Sequence, residues 1–209
     1  MEGSNMDLTI VMDALRARTS DEFLIRDVPG TSGRLDVVCR ILVSAYRTMP
    51  ELSPSIQVDV LLGGPPNPPL RLRVENVGAK EFPESELECA LILKGLLQRY
   101  RTRGISQDPN WPQFVIVPQG FSDLLQDAIQ DKKQLLYLVE TGHPFQQVEL
   151  NLNHPIVLIL GDDQGLSEEH KRAVYKHQIQ EISLGTRSLL GSHVISLVLL
   201  ELMHRKDPK

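Results

Sequence analysis

Two short loops in the last third of the chain carry glycine at the ends of apolar runs. They are Leu160-Gly161-Asp162-Asp163-Gln164-Gly165 and Ser183-Leu184-Gly185-Thr186-Arg187-Ser188. In parallel α/β sheets, ligands bind outside the carboxyl ends of the strands. Glycine there lets the backbone approach a ligand, and free N–H and C=O groups can read an adenine edge. Neither loop has the Lys-Ser or Lys-Thr pair of a phosphate-gripping loop, and no GxGxxG follows the first strand. Asp162 and Asp163 would repel phosphate, so the loops suit a nucleoside-like or cationic ligand better than a polyphosphate. Glycine turns between strand and helix are also common where nothing binds.

A second chemical cluster lies earlier. Asp27-Val28-Pro29-Gly30-Thr31-Ser32-Gly33 leads into Arg34, Asp36 and Arg40. Arginine can hold phosphates as a bidentate donor, and a helix start adds an anion site. A carboxylate beside them could accept a proton or hold a base edge. The same residues also fit a helix-cap network of Asp36 with its neighbouring arginines. Arg71 and Arg73, and then Arg99, Arg101 and Arg103, form further clusters that fit solvated strand and helix faces.

The six histidines show no metal spacing, and no metal site is expected. His143, His154, His170, His177 and His204 read as surface or turn residues, and His193, among apolar neighbours, as a core histidine. Cys39 and Cys89 stand alone and read as reduced, buried thiols.

The elements that would position these residues follow from periodicity. Leu8 to Met12 reads as a buried strand. Arg34 to Arg47 reads as a helix, with Leu35, Val38, Cys39, Leu42, Ala45 and Tyr46 on one face. Gln57 to Leu62 and Leu70 to Val74 read as a hairpin around a proline-rich loop, with Arg71 and Arg73 on its exposed face. Glu84 to Arg101 is helical. Thereafter strands (Phe114 to Val117, Gln134 to Glu140, Ile156 to Leu160, Glu181 to Leu184) alternate with helices (Ser122 to Lys132, Ser167 to Gln178, Ser188 to about Met203). Thr141-Gly142-His143 reads as a turn and Phe145 to Leu150 as a small β-arm. The alternation predicts an α/β fold, a mostly parallel sheet between helix layers. The last helix is apolar around nearly its whole circumference, which calls for burial on all sides and hence for a second subunit.

At 209 residues the chain fits one domain, with an elaborated hairpin near 55–75. The formal net charge of −5 argues against a general nucleic-acid binder but leaves room for a local basic face. No apolar run is long enough for a bilayer, and the polar stretch Met1 to Asn5 does not read as a secretory signal. The expected location is cytoplasmic.

Taken together, the sequence resembles the archaeal tRNA pseudouridine-54 N1-methyltransferase family. The resemblance rests on the segment Asp27 to Arg40, on Leu62-Gly63-Gly64-Pro65-Pro66-Asn67-Pro68-Pro69, on Leu160-Gly161-Asp162, and on Ile182-Ser183-Leu184-Gly185 followed by Leu189-Leu190-Gly191-Ser192-His193-Val194. It implies a SPOUT-class fold with a C-terminal trefoil knot, the knot and cofactor site lying within about 134–203. It further implies a homodimer through the C-terminal helix. S-adenosylmethionine would be held by Leu138, Gly161, Asp162, Ile182, Ser183, Leu184, Gly185, Leu189 and Val194. Arg26, Arg34 and Arg40 would face tRNA, Asp36 would hold or remove the proton on the target nitrogen, and Arg34 would stabilise charge on the base. The chain departs from the family pattern at Tyr46, around Phe82-Pro83-Glu84-Ser85-Glu86, at Asp163 and at Val194. Those departures fit a branch acting on another uridine-like site. Methylation of rRNA or a protein, and a non-catalytic RNA- or cofactor-binding module of the same fold, are the alternatives.

Overall fold

The structure, a computed structural model, describes residues 6–49, 51–52, 55–75 and 82–206. The reading made on Met1 to Asn5 lies outside the described residues.

Strand β1 (Leu8–Ala14) is buried at every position, as a strand covered on both faces must be. It pairs in parallel with β2 (Ile56–Leu62) on one side and β6 (Ile156–Gly161) on the other. Beyond β6 lie β5 (Gln134–Pro144) and β7 (Gln180–Ser183), both parallel. Beyond β2, the hairpin partner β3 (Leu70–Glu75) and then β4 (Phe114–Val117) run antiparallel. The order is β4-β3-β2-β1-β6-β5-β7 in one seven-stranded sheet. The expected mostly parallel sheet is present, with an antiparallel flank.

The period-2 alternation of β1 sorts the core. Leu8, Ile10 and Met12 pack with α2 (Leu35–Arg47), α3 (Glu86–Arg103) and α6 (Gly191–Lys206). Val11 packs on the other face with α4 (Phe121–Gln130) and α5 (Glu168–Lys176). A single helical turn, α1 (Val28–Thr31), precedes α2. Helix ends follow their signals. Ser85 accepts a hydrogen bond from Glu88 N, Ser167 accepts one from His170 N, and Gly104 closes α3 at φ 67°.

Four expectations change. Arg71 is not on an exposed face; it is 1% exposed, because α4 covers that side of the hairpin. Its charge faces Asp59, equally buried, with Nε 3.4 Å from the carboxylate, and its Nη2 donates to Gln119 Oε1 at 2.8 Å. Thr141-Gly142-His143 does not end the strand; β5 continues to Pro144, with a break in register where Ile182 of β7 pairs with both Leu138 and His143. Phe145 to Leu150 forms no β-arm; Phe145–Gln147 is a 3-10 turn. The last helix starts at Gly191, so Leu189 and Leu190 belong to the loop before it. Both cysteines are free and buried as expected, and burial pushes both thiols up, Cys89 to about 12.

Candidate functional site

A cavity of about 600 Å³ opens at the C-terminal ends of β1, β5 and β6. Met12, Leu138 and Leu160 supply apolar wall, and Val37 and Ile41 of α2 close the side. The loop after β6 forms one rim and the loop from Leu184 into α6 the other.

Close backbone approaches shape both rims. A Cβ on Gly161 would lie 2.1 Å from the Gly165 carbonyl carbon, so the β6 loop folds back on itself only with glycine there. Asp162 pins that loop from both oxygens. Its Oδ1 accepts from Gln164 N at 2.8 Å and its Oδ2 from Leu15 N at 3.0 Å. Burial raises the Asp162 pKa above its ordinary 3.8. Across the cavity, Ser183 Oγ donates to Glu140 O at 3.1 Å and accepts from Gly185 N at 3.0 Å, bracing the second rim against β5. Gly185 has φ 131° and open space beside its Cα.

Seven of the nine expected cofactor residues line this cavity: Leu138, Gly161, Asp162, Leu184, Gly185, Leu189 and Val194. Ile182 and Ser183 do not. The Ile182 side chain is fully buried in the core, and Ser183 is occupied with the brace just described. Tyr137, Glu140, Lys171 and Arg187 also line the cavity and carry no sequence signal beyond their nearness to the glycine loops.

The arginine cluster meets the cavity at the start of α2. Gly33 and Arg34 both take left-handed backbone angles, φ 66° and 75°. That conformation is costly for arginine, and such strain persists only where the surroundings over-determine it. Here Arg34 Nε and Nη2 donate to the two oxygens of Asp36 at 3.0 and 3.2 Å. Arg40 Nη2 donates to Asp36 Oδ2 at 2.7 Å. Arg34 and Arg40 line the cavity; Asp36 does not, and its side chain is 7% exposed. The hydrogen bond to Asp36 raises the Arg34 pKa further, so this guanidinium stays cationic. The carboxylate therefore sits behind two cations rather than facing the cavity. Arg26 is exposed and does not line it.

The loop after β1 ties these parts together. Leu15 reaches Asp162, and Arg16 Nη2 donates to both oxygens of Asp163 at 2.7 and 2.8 Å. Arg18 N donates to Ser32 O at 3.0 Å, Gly64 N to Ala17 O at 2.8 Å, and Thr19 N to Pro65 O at 3.0 Å. The β6 loop, the loop before α2 and the proline loop thus share one short segment. The Arg18 Nε is buried and has no hydrogen-bond partner.

The histidines behave differently from expectation in two cases. His193 is exposed rather than in the core, because α6 turns that face away from α2. His170 is partly buried, with Nδ1 2.6 Å from Asp13 Oδ2 and its ring against Phe121. Among the described residues no cluster of His, Cys, Asp and Glu could hold a metal ion, and no helix is long and apolar enough to cross a membrane.

The profile of a protein family described as "Putative SAM-dependent RNA methyltransferase" matches residues 8–206. The tRNA (pseudouridine(54)-N(1))-methyltransferase of Thermococcus kodakarensis is 34% identical over 196 residues, covering 91% of this chain and 96% of that protein. The enzyme of the same description from Thermococcus onnurineus is 32% identical over 194 residues, covering 91% and 94%. Among solved structures, Archaeoglobus fulgidus Nep1 bound to S-adenosylhomocysteine superposes with a TM-score of 0.64 at 15% identity, covering 97% of this chain and 99% of that one. That likeness is one of fold.

Proposed function

Because the chain belongs to this family of SAM-dependent RNA methyltransferases, alongside the tRNA (pseudouridine(54)-N(1))-methyltransferases, we propose that it methylates N1 of pseudouridine at position 54 of tRNA. The observation that carries the reading is the meeting of Arg34 and Arg40 with the glycine-loop cavity. One opening brings together a nucleoside-sized pocket and two cations suited to RNA.

The cavity fits S-adenosylmethionine by its chemistry. Leu138, Leu184, Leu189 and Val194 offer apolar surface to an adenosyl group, and Gly161 and Gly185 leave backbone exposed. Asp162 and Glu140 are suited to a cationic ligand, and Lys171 and Arg187 to a carboxylate. When bound, the cofactor supplies an electrophilic methyl group.

The chain's own residues hold and polarise the base. The target leaves its stack to enter the opening. Proximity then provides much of the rate. N1 gives up its proton to water before it bonds to the methyl carbon. The negative charge this spreads onto the base oxygens faces Arg34, and it is cancelled when N1 takes the methyl group and the carbon–sulfur bond breaks. We assign Asp36 the task of presenting Arg34 and Arg40. Its oxygens already accept from both guanidiniums, which supports positioning over proton removal.

Three finer expectations remain part of this proposal. A trefoil knot near the cofactor site is supported by the close approach of 140–144 to 182–185, where a Cβ on Gly142 would lie 2.5 Å from the Ile182 backbone. A homodimer through α6 is supported by the exposed leucines 197 and 200. A cytoplasmic site of action goes with a tRNA substrate.

The test uses labelled S-adenosylmethionine and two tRNA samples that differ only in uridine or pseudouridine at position 54. Label is expected in the pseudouridine sample alone. Label in neither, with cofactor still bound, would overturn the assignment of substrate and direct attention to rRNA.

A further inference from the structure

Among the described residues, four buried side-chain polar atoms lack a hydrogen-bond partner: Nε of Arg18, Arg71 and Arg99, and Oε1 of Gln113. Arg71 faces Asp59, and Arg99 is ion-paired with Asp108. Among the described residues, Arg18 is the one arginine of the three with no carboxylate to meet its charge. A buried N–H without an acceptor is disfavoured, and such exceptions in a folded protein call for a reason.

The position of Arg18 suggests the reason. Its backbone N–H donates to Ser32 O, and its aliphatic stem would lie 3.5 Å from a Cβ on Gly33. The next residue, Arg34, lines the cavity. The adjacent Thr19 is bonded to the proline loop, whose residues Pro65 to Pro69 are exposed. Arg18 therefore lies between the cavity mouth and an exposed rigid loop, at the same end of the sheet. Its neighbours are already matched. Arg16 is paired with Asp163, and Arg34 and Arg40 share Asp36, with Glu86 3.9 Å from Arg40. The Arg18 Nε is covered, but the residue is only half-buried, and its Nη groups, which bond to no described residue, are open to an anionic acceptor that approaches from outside. A phosphate is acceptor-only and charged, and guanidinium is its preferred partner.

We infer that Arg18 binds a backbone phosphate of the RNA strand that delivers the target base, so that the RNA path runs from the cavity over the β1 loop toward the proline loop. This rests on the RNA methyltransferase reading, and its test separates the two. The measurement is tRNA binding by the full chain over a series of salt concentrations, with S-adenosylhomocysteine binding measured alongside. Arg18→Gln is compared with Arg103→Gln, an exposed arginine at the end of α3.

Arg18→Gln is expected to weaken tRNA binding about 5- to 10-fold and to reduce the slope of log K against log salt by about one. The KM for tRNA should rise by a similar factor, with kcat and S-adenosylhomocysteine affinity nearly unchanged. The melting temperature should hold, because the Arg18 Nε makes no hydrogen bond that the variant would lose. Wild-type affinity and slope in Arg18→Gln would overturn the inference. So would an equal loss in Arg103→Gln, which would mean general charge attraction, or a parallel fall in S-adenosylhomocysteine affinity, which would mean a distorted fold. A wild-type protein that neither binds nor methylates tRNA would overturn the functional reading and this inference with it.

Discussion

Two guanidiniums can face a cavity side by side only if something offsets their repulsion, and Asp36 does this from behind. Asp36→Asn would leave one oxygen and an N–H₂ group where two arginines expect acceptors. The expected cost is about 1–3 kcal/mol in urea denaturation. Methyl transfer should fall roughly 10²-fold as Arg34 loses its place, while S-adenosylhomocysteine binding, made elsewhere in the cavity, holds. Wild-type transfer in this variant would remove Asp36 from the mechanism. The Asp162 carboxyl offers a pH test. Its folded pKa is raised by burial, so the fold favours the neutral form. The associated stability is present below the unfolded value and is lost as pH rises through the folded one. Wild type should therefore lose stability relative to Asp162→Asn as pH climbs out of the ordinary aspartate range; a constant difference would argue against the raised pKa. At this scale the sequence showed the cluster Asp27 to Arg40, because glycine and opposite charges fall close together along the chain. It hid which way Asp36 faces. It misplaced Arg71, whose partner Asp59 comes from the neighbouring strand. The pairing of His170 with Asp13, 157 residues apart, has no spacing to betray it.

Strand and helix alternation was legible throughout, since a period of 2 or 3.6 survives any packing. The ends were not. β5 breaks register after Leu138 and pairs again at His143, because Gly142 lets the backbone of β7 approach it. The loop after β1 joins the loop before α2 and the proline loop through backbone groups that carry no side-chain signature, and it reaches the β6 loop through carboxylates 147 residues away. Two glycines with nearly the same backbone angle show what that junction demands. Gly104 ends α3 at φ 67° with nothing within 4 Å of a Cβ, so Gly104→Ala is expected to cost only about 1 kcal/mol. Gly33 sits at φ 66°, and a Cβ there would lie 1.9 Å from the Arg16 carbonyl oxygen. Gly33→Ala must strain the backbone and also push the β1 loop away, for a cost of about 3 kcal/mol or more. Thermal or urea denaturation of the two variants measures the difference directly. Equal losses would mean that the contact between the β1 loop and the start of α2 adds nothing to stability.

Across the whole molecule, the apolar circumference of the last helix is the feature that one chain leaves unfinished. Val194, Ile195, Val198, Leu199 and Leu202 are buried against the sheet and α2. Leu197 and Leu200 remain 43% and 41% exposed, and Leu190, just before the helix, 60%. Isolated exposed leucines are ordinary, but Leu197 and Leu200 are three apart and share one helical face. The burial expected from the sequence is thus met on one side, and the proposed second copy would cover the other. The exposed stretch continues through Leu189 and Leu190, both of which line the cavity. Dimerisation and cofactor binding should therefore be coupled. Wild type is expected to sediment as a dimer and the double variant Leu197→Glu, Leu200→Glu as a monomer that binds S-adenosylhomocysteine at least about 10-fold more weakly, about 1.4 kcal/mol. Circular dichroism would establish that the fold is kept. A folded monomer with full affinity would show that one chain completes the cavity alone. A variant that still dimerises would place the interface on another face and leave these leucines without a role in assembly.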